Sequence, residues 1–391
     1  MNYTTRLILF FGLMAVLCSC KKPYTPPEIT ASGSHLVVEG VINTGSDSTI
    51  ISLSHTVVLS GKTALNPQTK AVVTVESDQN VTYPLTENTG GRYISTGLNL
   101  DNSRQYRLRI KTPDGQQYLS DFVASKVTPP IDSIGFKVVN DMLQIYVNTH
   151  DPNNNTRYYR WDYTETWQYH SMYASTFITN GVAIVPRTNL QQIYTCFSSD
   201  VSTSIYIGSS AALNQDVIYQ APLAQIAATS EKLETRYSIL LRQYALTSDA
   251  YTFWLNLKKN TEDLGSIFDA QPSTTISNIH NINNATDVVV GYVSACKVQT
   301  KRIFILNSQV PNTWRVTYPY TCTLDTDRFH APFNINEVAN KLIPLNSGDI
   351  PVIDFFYPGN TNILLPDGYL GSSHGCVDCT IRGTKVVPSF W

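Results

Sequence analysis

Charge is scarce in this 391-residue chain: Asp, Glu, Lys and Arg make up 15% of it and sum to a formal net charge of -2. The basic residues never cluster beyond pairs such as Lys21-Lys22 and Lys258-Lys259. That excludes a nucleic-acid groove, which needs a stripe of Lys and Arg facing phosphates. Long apolar runs are missing as well. The longest, Leu7 to Leu17, is about half of the roughly twenty residues that a helix needs to cross a hydrocarbon core. The seven histidines (His35, His55, His150, His170, His280, His330 and His374) form no HxH or HExxH pair, so no metal site is nominated. Gly61-Lys62-Thr63 lacks the leading glycine of a phosphate loop and reads as an ordinary loop. Asp151-Pro152-Asn153-Asn154-Asn155 lacks the spaced acids of a calcium loop and reads as a turn. Acidic residues are too scattered to nominate a glycosidase pair, and no fixed-period repeat supports a propeller or solenoid.

What the chain does have begins at its amino end. Met1 to Arg6 carries one positive charge, the apolar stretch follows, and small residues lead into Leu17-Cys18-Ser19-Cys20. This is the order of a secretion signal, with a cysteine placed where a lipoprotein receives its diacylglycerol. The expectation is a signal peptide over 1–19, an acylated Cys20, and a proline-bearing tether over 20–34 that keeps the lipid apart from the first folded unit.

Tyr is abundant at 23 residues, and short alternating runs dominate the rest of the chain. His35 to Asn43, Thr49 to His55, Lys70 to Ser77, Gly91 to Ser95 and Gln105 to Lys111 have the spacing of a β-sandwich. Thr112-Pro113-Asp114-Gly115 predicts a hairpin into Gln117 to Val123, because Pro presets one turn residue and Gly accepts a positive φ. The reading is a mainly β protein: an immunoglobulin-like or transthyretin-like sandwich over 35–128, then a larger β-rich domain over 129–391 with a few short helices.

In that second part, Tyr158 to Trp167 places Tyr159, Trp161, Tyr163, Glu165 and Trp167 on one strand face and Tyr158, Arg160, Asp162 and Thr164 on the other. The aromatic face is expected in a core, with sugar stacking as the alternative. Arg236 to Tyr244 reads as another strand, and Ser248 as the N-cap of an amphipathic helix ending near Asn260. Helical turns are expected at Leu223 to Ala228 and Asn334 to Lys341, and strands at Val288 to Val298 and Lys301 to Leu306.

After the anchor, five cysteines remain. Cys296 lies in an apolar strand-like run and is expected to be an inert buried thiol. Cys196, Cys322, Cys376 and Cys379 permit two disulfides in three connectivities. The Cys376-Val377-Asp378-Cys379 pair leaves a redox couple or half a zinc site as alternatives, but an oxidising compartment favours structural bridges. Gly371-Ser372-Ser373-His374-Gly375 matches the G-x-S-x-G of a hydrolase elbow. With Leu365-Pro366-Asp367-Gly368 ahead of it and only a short tail behind to supply an acid and a histidine, Ser373 and His374 are expected to be dispensable.

Several segments together resemble one family. They are the lipobox, Leu36-Val37-Val38-Glu39-Gly40, Tyr83-Pro84-Leu85-Thr86, Gly91-Arg92-Tyr93, Thr112-Pro113-Asp114-Gly115 and Pro129-Pro130-Ile131-Asp132-Ser133-Ile134. Further along come Arg236-Tyr237-Ser238-Ile239-Leu240 with Arg242-Gln243-Tyr244, Gly265-Ser266-Ile267-Phe268-Asp269 with Gln271-Pro272, Cys376-Val377-Asp378-Cys379 and Phe390-Trp391. The chain resembles, over residues 35 to 391, the Bacteroidetes outer-membrane lipoproteins of the domain-of-unknown-function family DUF4249. The resemblance implies a lipid-anchored outer-membrane protein, often encoded beside a TonB-dependent transporter, with no catalytic residues and no cofactor to carry over. The expected function is a non-enzymatic accessory that helps such a transporter capture or retain substrate, with the periplasmic or surface face left open. A structural or adhesive surface lipoprotein is the alternative, followed by a glycan- or peptide-acting hydrolase.

Overall fold

A computed structural model describes residues 34–57, 66–262, 277–356 and 366–391. Cys20 with its tether, Gly61-Lys62-Thr63 and Gly265 to Pro272 lie outside the described residues.

The protein is mainly β. Its first nine strands are β1 (Leu36–Asn43), β2 (Thr49–His55), β3 (Asn66–Pro67), β4 (Val72–Ser77), β5 (Thr82–Glu87), β6 (Arg92–Ser95), β7 (Gln105–Lys111), β8 (Gln117–Ser120) and β9 (Val123–Val127). Alternation decides which face is buried: Val38, Ile51, Leu53, Val73, Val75, Leu108 and Ile110 point into one core. The Thr112 to Gly115 turn joins β7 to β8 as an antiparallel hairpin, with Gly115 at φ +90. β5 escaped the sequence reading because Pro84 interrupts its run. The strand tolerates proline because, among the described residues, Thr82 to Leu85 pair with β4 alone, which leaves Pro84 without a second strand partner, and Thr86 and Glu87 go on to pair with β6.

Next come β10 (Ile131–Val139), β11 (Met142–Asp151), β12 (Tyr158–His170), β13 (Phe177–Thr179), β14 (Ile184–Pro186), β15 (Thr195–Val201), β16 (Tyr206–Ser209), β17 (Asp216–Ala227), β18 (Arg236–Ala245) and helix α1 (Ser248–Thr261). The remaining elements are β19 (Ile279–Asn281), β20 (Val290–Gly291), β21 (Ser294–Lys297), β22 (Gln299–Leu306), β23 (Asp325–Arg328), α2 (Glu337–Lys341), β24 (Asp349–Phe355), β25 (Gly368–Ser373) and α3 (His374–Val377). A three-stranded sheet, β10-β11-β17, faces a sheet ordered β15-β12-β18-β22, with β16 pairing to β12. The apolar faces of the two sheets enclose Leu143, Ile145, Tyr159, Trp161, Tyr237 and Ile239. A small third sheet, β23-β25-β24, carries the short helices near the carboxyl end.

Four expectations change. The division into 35–128 and 129–391 fails for residues 279–297: β19 pairs with β8, β20 with β1, and β21 lies between β1 and β9, parallel to both. β7 also pairs with β9, so with β21 in place the strand path closes on itself. Closure removes the open edges that β1 and β9 would otherwise present, and no local pattern reveals so distant a pairing. Leu223 to Ala228 is not a helical turn. It belongs mostly to β17, where Leu223, Ala224 and Ile226 are buried against β11, because packing outweighs local propensity. The helix after β18 is capped one residue earlier than expected, by Thr247, whose side chain accepts from the Ala250 amide. The turn at Asn334 to Lys341 divides into α2, capped by Asn336, and a short 3-10 turn over Pro332–Asn334 that ends at Asn334.

Candidate functional site

The aromatic face of β12 is core. Tyr159, Trp161, Tyr163, Glu165 and Trp167 are all under one-tenth exposed, which rules out sugar stacking there. Glu165 tolerates that setting because the Tyr237 hydroxyl donates to it at 2.8 Å and the Lys232 ammonium pairs with it. The functional interest passes to the opposite face, Arg160, Asp162 and Thr164, for which the sequence alone assigns no role.

That face floors an open cleft of about 840 Å³ between the two main β units. Register sets its chemistry: Asp162 lies directly across from Arg242 of β18, and Arg160 across from Tyr244. The Arg160 guanidinium lies 4.4 Å from the ring centre of Tyr244 and 4.4 Å from that of Trp254 on α1. Its Nη2 donates to Asp162 at 3.4 Å. Arg242 donates through Nε to the other Asp162 oxygen and through both terminal nitrogens to the Thr164 hydroxyl at 3.1 Å. Burial works against the Arg242 charge, yet Asp162 outweighs it and its pKa is raised. Burial lifts the Tyr244 phenol, with Asp162 adding to the shift. Beyond the cleft lining, Arg302 of β22 donates to Ser238 at 2.8 Å and stacks 3.5 Å from the centre of the Phe390 ring. Burial and then the neighbouring Arg242 lower its pKa.

The facing wall is the outward side of β1, β2 and β6, with Glu39, Ser52 and Arg92, and Asp47 in the loop between β1 and β2. The loop 202–205 closes one side. It is held there by Lys258 of α1, which donates to the Ile205 carbonyl at 3.0 Å, and by Glu262 just past the helix, which accepts from the Ile205 amide at 2.6 Å. The two β units are fixed relative to each other by an apolar joint of Tyr244, Leu246, Ala250 and Cys296, against which Val41 and Tyr292 pack. Cys296 is free and buried there, and burial pushes its thiol up to about 11, so it is unreactive.

The other nominated residues fall elsewhere. Cys196 bonds to Cys379 and Cys322 to Cys376, so the two cysteines of the CxxC belong to different bridges, which leaves neither a redox pair nor half a zinc site. Asp151 accepts from the amides of Asn153, Asn155 and Thr156 at 2.9 Å, organising a turn. Asp216 lies opposite Asp151 in the ladder and binds the hydroxyls of Tyr159 and Ser210. Both carboxylates are thus consumed by structural hydrogen bonds. His55 pairs with Gln68, His150 with Asp132, His170 with Glu234 and His280 with Asp121. No group of three His, Cys, Asp or Glu residues able to hold a metal occurs among the described residues.

The G-x-S-x-G segment does sit between a strand and a helix, β25 and the one-turn α3, contrary to the expected context. The serine is nevertheless unlike an elbow nucleophile. Ser373 has relaxed extended backbone angles, φ -61 and ψ 153, and its hydroxyl donates to Cys376 Sγ at 3.3 Å. His374 contacts the Ser347 carbonyl instead. Ser373→Ala is expected to change stability by less than about 0.5 kcal/mol, and a fluorophosphonate probe should leave both proteins unlabelled. Labelling of Ser373 alone would reverse this reading.

A family model described as "Domain of unknown function (DUF4249)" matches residues 21–302. No curated protein matches the chain in sequence. Among solved structures, a two fibronectin type-III domain segment from chicken tenascin aligns at 10% identity and TM-score 0.15, covering 54% of this chain and 90% of its own. Salmonella alpha-2-macroglobulin aligns at 14% identity and TM-score 0.18, covering 55% of this chain and 14% of its own. A structure containing manganese lipoxygenase of Gaeumannomyces graminis and part of a zonadhesin aligns at 10% identity and TM-score 0.17, covering 55% and 90%. Similarity this low carries no argument about function.

Proposed function

The chain belongs to the DUF4249 family, and from that premise we propose that it is a non-enzymatic envelope lipoprotein, anchored to the outer membrane through Cys20, that captures or retains substrate for a TonB-dependent transporter. The observation that carries this reading is the cleft between the two β units. It is open, its charged and hydroxyl side chains are set among apolar ones such as Val41, Ile50 and Leu240, and its framework is held by a buried joint, which suits reversible capture. Capture needs complementary polar groups on a rigid scaffold, and Arg160, Arg242 and Asp162 are held in place by cross-strand register. A proline-bearing tether between the lipid and Ser34 would let the folded part reach a neighbouring barrel.

The test is purification of the lipidated protein from native membranes in mild detergent. Co-purification of a barrel transporter in stoichiometric amount is the expected result, and its absence after cross-linking would count against the accessory role. Cys20→Ala is expected to abolish acylation and release the protein from the membrane fraction, as read by metabolic labelling with a palmitate analogue. Undiminished membrane retention of that variant would defeat the anchor.

A further inference from the structure

We infer that the cleft binds short zwitterionic peptides, with the carboxylate end on Arg242 and Arg160 and the ammonium end toward Glu39 and Asp47. This inference rests on the capture reading and names its substrate class.

The charges are segregated. The β12–β18 floor holds Arg160 and Arg242 against one acid, Asp162. The opposite wall holds Glu39 and Asp47 against Arg92. Arg160 and Arg242 each share the single Asp162 carboxylate, so the floor retains capacity for a second carboxylate. Guanidinium groups suit that role through their planar donor fork. Glu39 and Asp47 are exposed and have no ion-pair partner among the described residues, so they remain open to an incoming cation.

A ligand of one sign fits half of this cleft and is repelled by the other half, whereas a molecule with separated opposite charges satisfies both. Neutral glycans and nucleobases would need free aromatic faces to stack on. The Tyr244 and Trp254 rings are each already engaged by the Arg160 guanidinium, and Trp161 is 2% exposed. Hydroxyls on both sides, such as Ser52, Thr164, Ser204 and Thr300, suit the alternating donors and acceptors of a peptide main chain.

The experiment incubates the full-length protein in detergent with a randomised tetrapeptide library in three forms: free termini, amino-acetylated and carboxyl-amidated. Retained peptides are quantified by mass spectrometry. Free-termini peptides should be enriched at least tenfold over resin alone, with the enrichment largely lost on amidation and lowered on acetylation. Arg242→Gln should lose retention. Because that change also removes partners of Asp162 and Thr164, Glu39→Gln, at an exposed position, serves as the second variant. It should weaken free-termini peptides while leaving acetylated ones unaffected, and retention should fall with rising salt. Absence of enrichment, equal retention of blocked and free peptides, or preferential retention of an acidic oligosaccharide included as a competitor would overturn the inference. A peptide-binding protein that co-purifies with no barrel would instead retire the transporter role and leave this assignment standing.

Discussion

Replacing Cys196 and Cys379 together by alanine is expected to lower the unfolding free energy by about 2–5 kcal/mol, read as a shift in urea midpoint at unchanged slope. The bridge joins residues 183 apart in sequence, and a cross-link limits the unfolded chain more as the loop it closes grows. Chain-entropy scaling makes this bridge worth roughly 1 kcal/mol more than Cys322–Cys376, which spans 54 residues. The native contacts around it add to the loss. Tyr169 donates to the Cys379 carbonyl at 2.9 Å, Phe197 and Thr384 exchange backbone hydrogen bonds, and Trp391 lies edge-on to Phe197 with ring centres 5.1 Å apart. Trp391 also covers one face of Arg236, whose guanidinium is 4.9 Å from the indole and 4.1 Å from the Phe304 ring. Without the bridge the tail should fray first, so protease sensitivity near Thr384 is expected to appear before global unfolding. A double alanine variant as stable as the native protein would mean that tail packing alone holds the carboxyl end.

Much of the β framework was legible because period-two burial is a local property. Thr49–His55 and Gln105–Lys111 appear with the bounds read from the sequence, and the alternation in Tyr158 to Trp167 correctly placed Tyr159 and Trp161 inside. Apart from β5, whose run Pro84 interrupts, what escaped was set by distance along the chain. Nothing local tells Ser294–Lys297 to insert between β1 and β9, since that pairing joins segments some 170 to 250 residues apart. The cleft was missed for the same reason. Arg160 and Asp162 look like an ordinary polar strand face until β18 sets Arg242 and Tyr244 opposite them and α1 lays Trp254 over Arg160. The available signal was the pairing of two strands that each alternate bulky apolar residues with Arg, which is unusual in a chain this poor in charge.

The largest single-residue effect is expected at Trp161, on the buried face of the same strand. Trp161→Ala should cost about 3–5 kcal/mol, because the indole is 2% exposed and its removal leaves a cavity that the flanking sheets cannot close. Trp161→Phe separates shape from hydrogen bonding. The indole Nε1 donates to Gln243 at 2.8 Å, and the Gln243 amide donates in turn to the Pro129 carbonyl at 2.9 Å and the Thr149 hydroxyl at 3.0 Å. Phenylalanine therefore strips one acceptor of its partner in a fully buried network, a loss of about 1–3 kcal/mol beyond the change in packing. That network ties Pro129, at the crossing between the two β units, to both sheets of the second, so thermal unfolding of the Phe variant should begin in the second unit. Its peptide retention at temperatures where it stays folded should match the native protein, because the indole faces the core whereas Arg160 and Asp162, on either side of it along β12, face the cleft. Loss of retention in a fully folded Trp161→Phe protein would show that the two faces of β12 are not independent, and the assignment of capture to the polar face would fall with it.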